Sequence, residues 1–197
     1  MTAGLALCAP QGQDSQPVVF DGRWRSRCAV RHAELAEIRW MIQEHYLRRR
    51  PGVVVCRLVM TLDERPVGMV IFGLPPRETN KRYGAPTWEL ARLWIEDEIP
   101  ANAESWLIAK AVKHCRAEHR SDVSVLVSYA DPSVGHSGII YQAANWIRDG
   151  RTDEGRKSPR CDYVWMEKKY SRKAHLPEGA VPVRIPRVSK WRYIYRL

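Results

Sequence analysis

Apolar residues recur at helical spacing in three stretches of the chain. Between Arg31 and Arg49 the positions Leu35, Ile38, Met41, Ile42 and Tyr46 form one stripe, which predicts an amphipathic helix stopped by Pro51-Gly52. From Asn102 to about Glu118, Ala103, Trp106, Leu107, Ala111, Val112 and Cys115 form a second, with Asn102 as its expected N-cap. A third begins at Ile139 and continues through Ile140, Ala143 and Ile147. Strand-like runs lie between. Val53 to Leu62 and Pro66 to Leu74 flank Asp63-Glu64-Arg65 and predict an antiparallel hairpin. Further strands are expected over Thr87–Ile95, with Leu90, Arg92 and Trp94 on one face, over Val123–Val127, Tyr163–Tyr170 and Trp191–Leu197. Pro75–Pro86 and Asp149–Pro159 have the composition of charged loops. The Pro-punctuated connection bearing Lys173, His175 and Arg184 looks extended. Residues 1–22 lack periodicity and are expected to form an arm ahead of one domain, 23–197.

The stretch from Ser128 to Trp146 organises the rest. A β-branched run feeds an Asp131-Pro132 step and a short Gly-bearing turn, after which helical spacing begins. That strand–turn–helix order gathers Asp131, His136 and Tyr141 at the carboxyl end of a strand, where open α/β sheets place ligands. Each residue alone also has a structural explanation: Asp131 or His136 capping a helix start, Tyr141 in the core. Elsewhere, Arg92 between large apolar neighbours must either be paired, for example with Asp131, or reach a cleft. Ser105 lies in the first turn of its helix, where backbone N–H groups suit an anion. His45 falls in a last helical turn, where imidazole favourably meets the helix C-terminus.

Composition narrows the classes. The 197 residues carry 32 Lys+Arg against 22 Asp+Glu, a net charge of +10. That sign, with basic clusters interleaved with Trp and Tyr, favours a nucleic-acid partner. Arg77, Lys81 and Arg82 place three of those cations in one segment. No apolar run is long enough to span a bilayer, so no membrane partner is expected. Five scattered cysteines without a CxxC pair fit a reducing cytoplasm and neither a zinc ribbon nor a disulfide framework.

The order helix, hairpin, strand, helix, strand, helix, two strands resembles the GNAT acyltransferase fold: α/β, with a central mixed and mostly antiparallel sheet flanked by helices. Such proteins splay two central strands and bind an acyl donor in the gap. Members that use acetyl-CoA carry a glycine-rich pyrophosphate loop after the third strand. Here that place holds Glu98-Ile99-Pro100-Ala101-Asn102-Ala103-Glu104, without glycine and with acidic flanks, so acetyl-CoA use is not expected.

More closely, Glu44-His45-Tyr46, Phe72-Gly73, Glu89 through Trp94, Asn102 through Ser105 and Ser128 through Trp146 resemble the phage Mom family. Its members are GNAT-like proteins that convert adenine in DNA to N6-carbamoylmethyladenine and so block restriction. The resemblance implies functional residues at His45, Tyr46, Arg92, Ser105, Asp131 and Tyr141, and Fe(II) near His45, Tyr46 and Asp131. It also implies a phage- or prophage-encoded protein working in the bacterial cytoplasm on DNA. The expected roles are Asp131 as base or metal ligand, Tyr141 as general acid, and Arg92 with Ser105 as anion-holding groups. Tyr46, His136 and Asn145 are expected to contact the adenine base. An aminoacyl-tRNA would fit a basic surface as donor, and the terminal strand could equally build a homodimer. The alternatives are a GNAT-type N-acetyltransferase for a small amine or peptide, and a non-catalytic DNA-binding protein on the same scaffold.

Overall fold

Two long apolar runs make the spine of the sheet. β2 (Val54–Leu62) and β3 (Arg65–Gly73) pair antiparallel through a tight turn at Asp63 and Glu64, both with positive φ, the turn handedness that matches strand twist. Both strands are buried on both faces, which accounts for their nearly unbroken apolar sequence. The computed structural model describes residues 23–158, 160–171 and 173–197, so the expected arm, 1–22, lies outside the described residues.

Around the hairpin the chain runs α1 (Trp24–Arg27), β1 (Cys28–His32) and α2 (Leu35–Glu44) before it, then α3 (Arg77–Tyr83), β4 (Thr87–Ile95) and α4 (Ala103–Glu118) after it. There follow β5 (Val125–Ala130), α5 (Ile139–Ala143), β6 (Ile147–Arg151), β7 (Cys161–Trp165), β8 (Lys168–Tyr170), β9 (Val183–Pro186) and β10 (Trp191–Arg196). Seven strands form one sheet in the order β1-β2-β3-β4-β5-β10-β6. Every neighbouring pair is antiparallel except β4 and β5. A small second sheet, β8-β7-β9, is built from the segment before β10.

Alternate residues of the same strands go to opposite layers. On one face Leu58, Phe72, Leu126 and Tyr193 pack with Leu107, Ile108 and Ala111 of α4. On the other, Val59, Met69 and Ile71 meet Ile38, Met41 and Ile42 of α2. Farther along that second face, Val125, Val127 and Ile194 are covered by Tyr83 and its neighbours at the end of α3.

Several sequence expectations change. The Arg31–Arg49 helix is shorter, because Cys28–His32 instead pairs with β2 as an edge strand. The Pro75–Pro86 loop contains α3, closed by Gly84 in the left-handed conformation. Ile147 does not continue the third helix but opens β6, so the expected loop from Asp149 starts two residues inside a strand. The Tyr163–Tyr170 strand is a hairpin, turning at Met166 and Glu167 with positive φ. Asn102 has φ of 72° and no capping side-chain bond, so it shapes the turn into α4 without capping it.

β10 enters between β5 and β6, and its Tyr193 anchors the turn ahead of α5: the phenol donates to the carbonyl of Ser137 at 3.0 Å. Gly138, with φ of 81°, lies directly on that ring, where a Cβ would come within 2.3 Å. Gly138→Ala is therefore expected to destabilise the fold by roughly 2–4 kcal/mol, from strain and overpacking together. Thermal unfolding should show the loss, and an unchanged melting temperature would contradict this packing.

Candidate active site

β4 and β5 pair only from Thr87↔Val125 to Glu89↔Val127 and then part. At the same level β4 carries a bulge: Phe72 pairs with Leu90 and Ile71 with Arg92, leaving Ala91 extra. The bulge reverses the side-chain alternation. Leu90 joins the α4 layer, whereas Trp94 packs into the α2 layer, so Leu90, Arg92 and Trp94 do not share one face. Strand divergence and bulge together open a cavity of about 520 Å³. Its lining comes from β4, from the end of β5, from the turn Gly135–Gly138, from α5 and from the chain after α2.

Parted strands leave carbonyls without ladder partners, and side chains satisfy them. Ser128 Oγ lies 2.9 Å from the Leu90 carbonyl oxygen and 2.8 Å from the Tyr141 hydroxyl. Serine has one proton and a carbonyl can only accept; when Ser128 donates to Leu90, Tyr141 donates to Ser128. Burial pushes the Tyr141 phenol up to about 12, so at neutral pH it keeps its proton. Arg92 is only 7 % exposed. Its Nε donates to the Arg49 carbonyl at 3.0 Å and one terminal nitrogen donates to its own neighbour Ala91 at 2.5 Å. Desolvation lowers its pKa, and among the described residues it forms no ion pair. The Arg92–Asp131 bridge considered from sequence is absent. A buried guanidinium held by carbonyls alone retains its attraction for an anion in the cavity.

Glu89, to which the sequence patterns assigned no role, also faces the cavity. Burial raises its pKa, partly offset by Arg92 and Lys190, and no hydrogen bond or ion pair engages its carboxylate among the described residues. The signal that could have found it is the one that singled out Arg92: a charge on a strand otherwise apolar.

Aromatic rings line another part of the wall. His45 and Tyr46 have centroids 4.5 Å apart, and His136 meets Tyr46 edge-on at 5.2 Å. Buried His45 accepts the Leu47 amide on Nδ1 at 3.1 Å, so its neutral form carries the proton on Nε2. Desolvation, with Arg92 and His136 nearby, lowers its pKa to about 4.

The remaining sequence candidates lie elsewhere. Asp131 is outside the cavity lining: Lys190 Nζ sits 2.8 Å from one oxygen, and Ser133 donates to the other through backbone and hydroxyl. These partners hold its carboxyl below the usual range despite partial burial. Ser105 donates to the Asn102 carbonyl at 3.0 Å, while neighbouring Glu104 reaches the cavity. Asn145 is an exposed left-handed residue in the turn after α5. Arg77, Lys81 and Arg82 lie exposed on α3; Lys81 pairs with Glu78 and Arg82 with Asp149.

His45, Tyr46 and Asp131 do not fit an Fe(II) ligand shell in this arrangement. The Asp131 oxygens are committed to Lys190 and Ser133, and His45 presents an N–H rather than a lone pair. Binding there requires Asp131 to leave Lys190 and His45 to give up the Leu47 amide.

His45 also has a consequence for stability. Its folded pKa of about 4 lies below the unfolded value near 6.5. Between those values the unfolded chain binds the extra proton, so the contribution is complete above about pH 6.5 and is lost as pH falls toward 4. The loss is at most about 3 kcal/mol. Denaturant unfolding of wild type and His45→Gln across that range should show a flatter pH dependence in the variant; parallel curves would place the titration elsewhere.

Comparisons with known proteins agree with the architecture. A polyamine N-acetyltransferase from Drosophila melanogaster superposes with a TM-score of 0.55 at 11% identity, over 86% of this chain and 100% of that one. An IAA acetyltransferase from Bacillus cereus gives 0.54 at 10%, over 86% and 99%. At such identities the likeness establishes the fold, that of the GNAT acetyltransferases. In sequence, 58 residues are 41% identical to the methylcarbamoylase Mom of Escherichia phage Mu, covering 29% of this chain and 24% of that protein. The aligned part thus spans about a quarter of that relative. A match to the Mom protein family runs from residue 29 to residue 197, nearly the whole described chain, and with the GNAT-like sheet already in view it shows that this chain belongs to the Mom family.

Proposed function

We propose that this protein is a phage-type DNA-modifying transferase that adds a carbamoylmethyl group to N6 of adenine. Family membership supports the class, and the phage Mu relative named a methylcarbamoylase supports the transferred group. The observation that carries the reading is the split between β4 and β5, with a protonated phenol, a guanidinium without an ion pair and a carboxylate without one around a single cavity.

Adenine N6 is inaccessible in a stacked duplex, so the base must swing out or arrive single-stranded. Tyr46 and His136 offer ring surfaces on which an extruded purine can stack. The N6 lone pair is delocalised into the ring, and removal of an N6 proton makes it a competent nucleophile. Glu89 takes that role, because its carboxylate faces the cavity and burial has made it more basic. Arg92 and the Nε2–H of His45 stabilise negative charge that develops on the donor. Tyr141, held in place by Ser128, delivers a proton to the leaving group and regains one from solvent as the product departs. Asp131 acts on this machinery through Lys190, whose other surface lines the cavity. Glu104 at the start of α4 would repel a pyrophosphate, and this favours a donor other than acetyl-CoA. An aminoacyl-tRNA fits the basic surface, and after glycyl transfer to N6 an isomerisation that moves the N6 bond from the carbonyl carbon to the methylene would complete the carbamoylmethyl group. No step here uses iron.

DNA as partner is supported by the net charge of +10 and by the exposed cations of α3. Arg77→Ala, Lys81→Ala and Arg82→Ala combined should weaken duplex binding and reduce its log–log salt slope by about 0.9 for each phosphate no longer neutralised. An unaltered slope would remove α3 from the DNA interface.

The reaction itself is tested by digesting DNA from cells expressing the chain and weighing its nucleosides. Deoxyadenosine heavier by one carbamoylmethyl group is expected from wild type. Glu89→Gln and Tyr141→Phe should each reduce its yield by about 100-fold or more with little change in melting temperature. Unmodified adenine together with calorimetric binding of CoA would point to an N-acetyltransferase instead.

A further inference from the structure

On the side of the molecule where α4 ends, three ligand-type side chains from separate positions in the chain converge. Cys56 comes from β2, His114 from the penultimate turn of α4, and His119 from the residue that closes that helix. Cys56 Sγ and one ring nitrogen of each histidine all lie within 4.8 Å of one another. Cys56 is 3 % exposed, whereas both histidines are only half-buried, so the cluster meets solvent on the histidine side. None of these residues lines the cavity between β4 and β5.

His119 is held as metal-binding histidines are held. Its Nδ1 lies 3.4 Å from an Asp122 carboxylate oxygen; in the tautomer that donates to this carboxylate, Nε2 keeps its lone pair for a metal. Its carbonyl accepts the amides of Asp122 and Val123, its own amide donates to the Cys115 carbonyl, and its ring rests 5.0 Å from that of Trp88. The contrast with His45 is direct: there Nδ1 accepts a hydrogen bond and the outer nitrogen carries the proton. His114 and His119 approach each other edge-on at 5.6 Å.

We propose that Cys56, His114 and His119 form a site for a borderline-soft divalent cation, Zn(II) foremost, that fastens the end of α4 to β2. One thiolate and two imidazoles are a donor set that zinc takes readily, with water in the fourth tetrahedral position. Bonds of about 2.3 Å to sulfur and about 2.0 Å to nitrogen require the ligand atoms to close by on the order of 1 Å. Binding breaks the S–H bond, forms the metal–sulfur bond and releases that proton to solvent; nothing is oxidised or reduced. The imidazoles bind in their neutral form, and the ion supplies the charge that the thiolate needs.

Tag-free full-length protein, stripped with chelator and dialysed, should take up one equivalent of Zn(II) or Co(II). The Co(II) form should show a thiolate-to-cobalt charge-transfer band, and Zn(II) should raise the melting temperature by several degrees. His114→Ala and His119→Ala, both at half-buried positions, should weaken binding at least about tenfold, and Asp122→Asn by about 10- to 100-fold. Cys56→Ala should abolish the charge-transfer band, and His45→Ala should leave uptake intact. The proposal is overturned if wild type binds neither ion, if the His114 and His119 variants bind like wild type, or if uptake depends on His45.

Discussion

Two adjacent parallel strands, β4 and β5, stop hydrogen-bonding after three residue pairs, and the cavity with its lining groups follows from that constraint. From Thr87 to Glu89 the ladder is intact; beyond it, backbone groups must find partners in side chains. Ser128 and Arg92 supply them at the Leu90 and Ala91 carbonyls. The same bonds fix the Tyr141 phenol and the guanidinium at the rim of the gap. Structural repair and chemical equipment are thus one set of interactions, and the bulge at Ala91 is what turns Arg92 away from the α4 core.

Much of the fold was visible in the sequence because periodicity reports burial. The β2–β3 hairpin, β4, α4 and the strand–turn–helix around Asp131 all announce themselves by apolar spacing and turn residues. What was not visible depends on tertiary pairing. β1 carries Arg31 and His32 within five residues and becomes a strand only because β2 offers an edge. α3 is polar enough to look like a loop, and it is held through Thr79 and Tyr83 against β5 and Asp149. The bulge leaves no mark in a single sequence, and so the shared face assigned to Leu90, Arg92 and Trp94 failed.

The site was partly legible for the same reason. Tyr141, Arg92, His45, Tyr46 and His136 do line one cavity. Asp131, chosen because it sits at an Asp-Pro corner, is instead turned toward Lys190, a residue far later in the chain that no local pattern connects with it. Glu89, three residues before Arg92 on the same strand, carries the same signal of a charge in an apolar run. The Mom-family match covers all of these residues, and the GNAT-like neighbours share the architecture in which the strands part. Neither fixes the chemistry, which rests on the groups that face the gap.

The proposed chemistry stands or falls on whether the target base enters the space between β4 and β5. A crystal structure of the chain on a short adenine-containing duplex decides this. The expected result is an adenine swung out of the helix, stacked against Tyr46 or His136, with N6 within hydrogen-bond reach of Glu89. DNA bound on another face, with every base stacked and the gap filled by solvent, would contradict it.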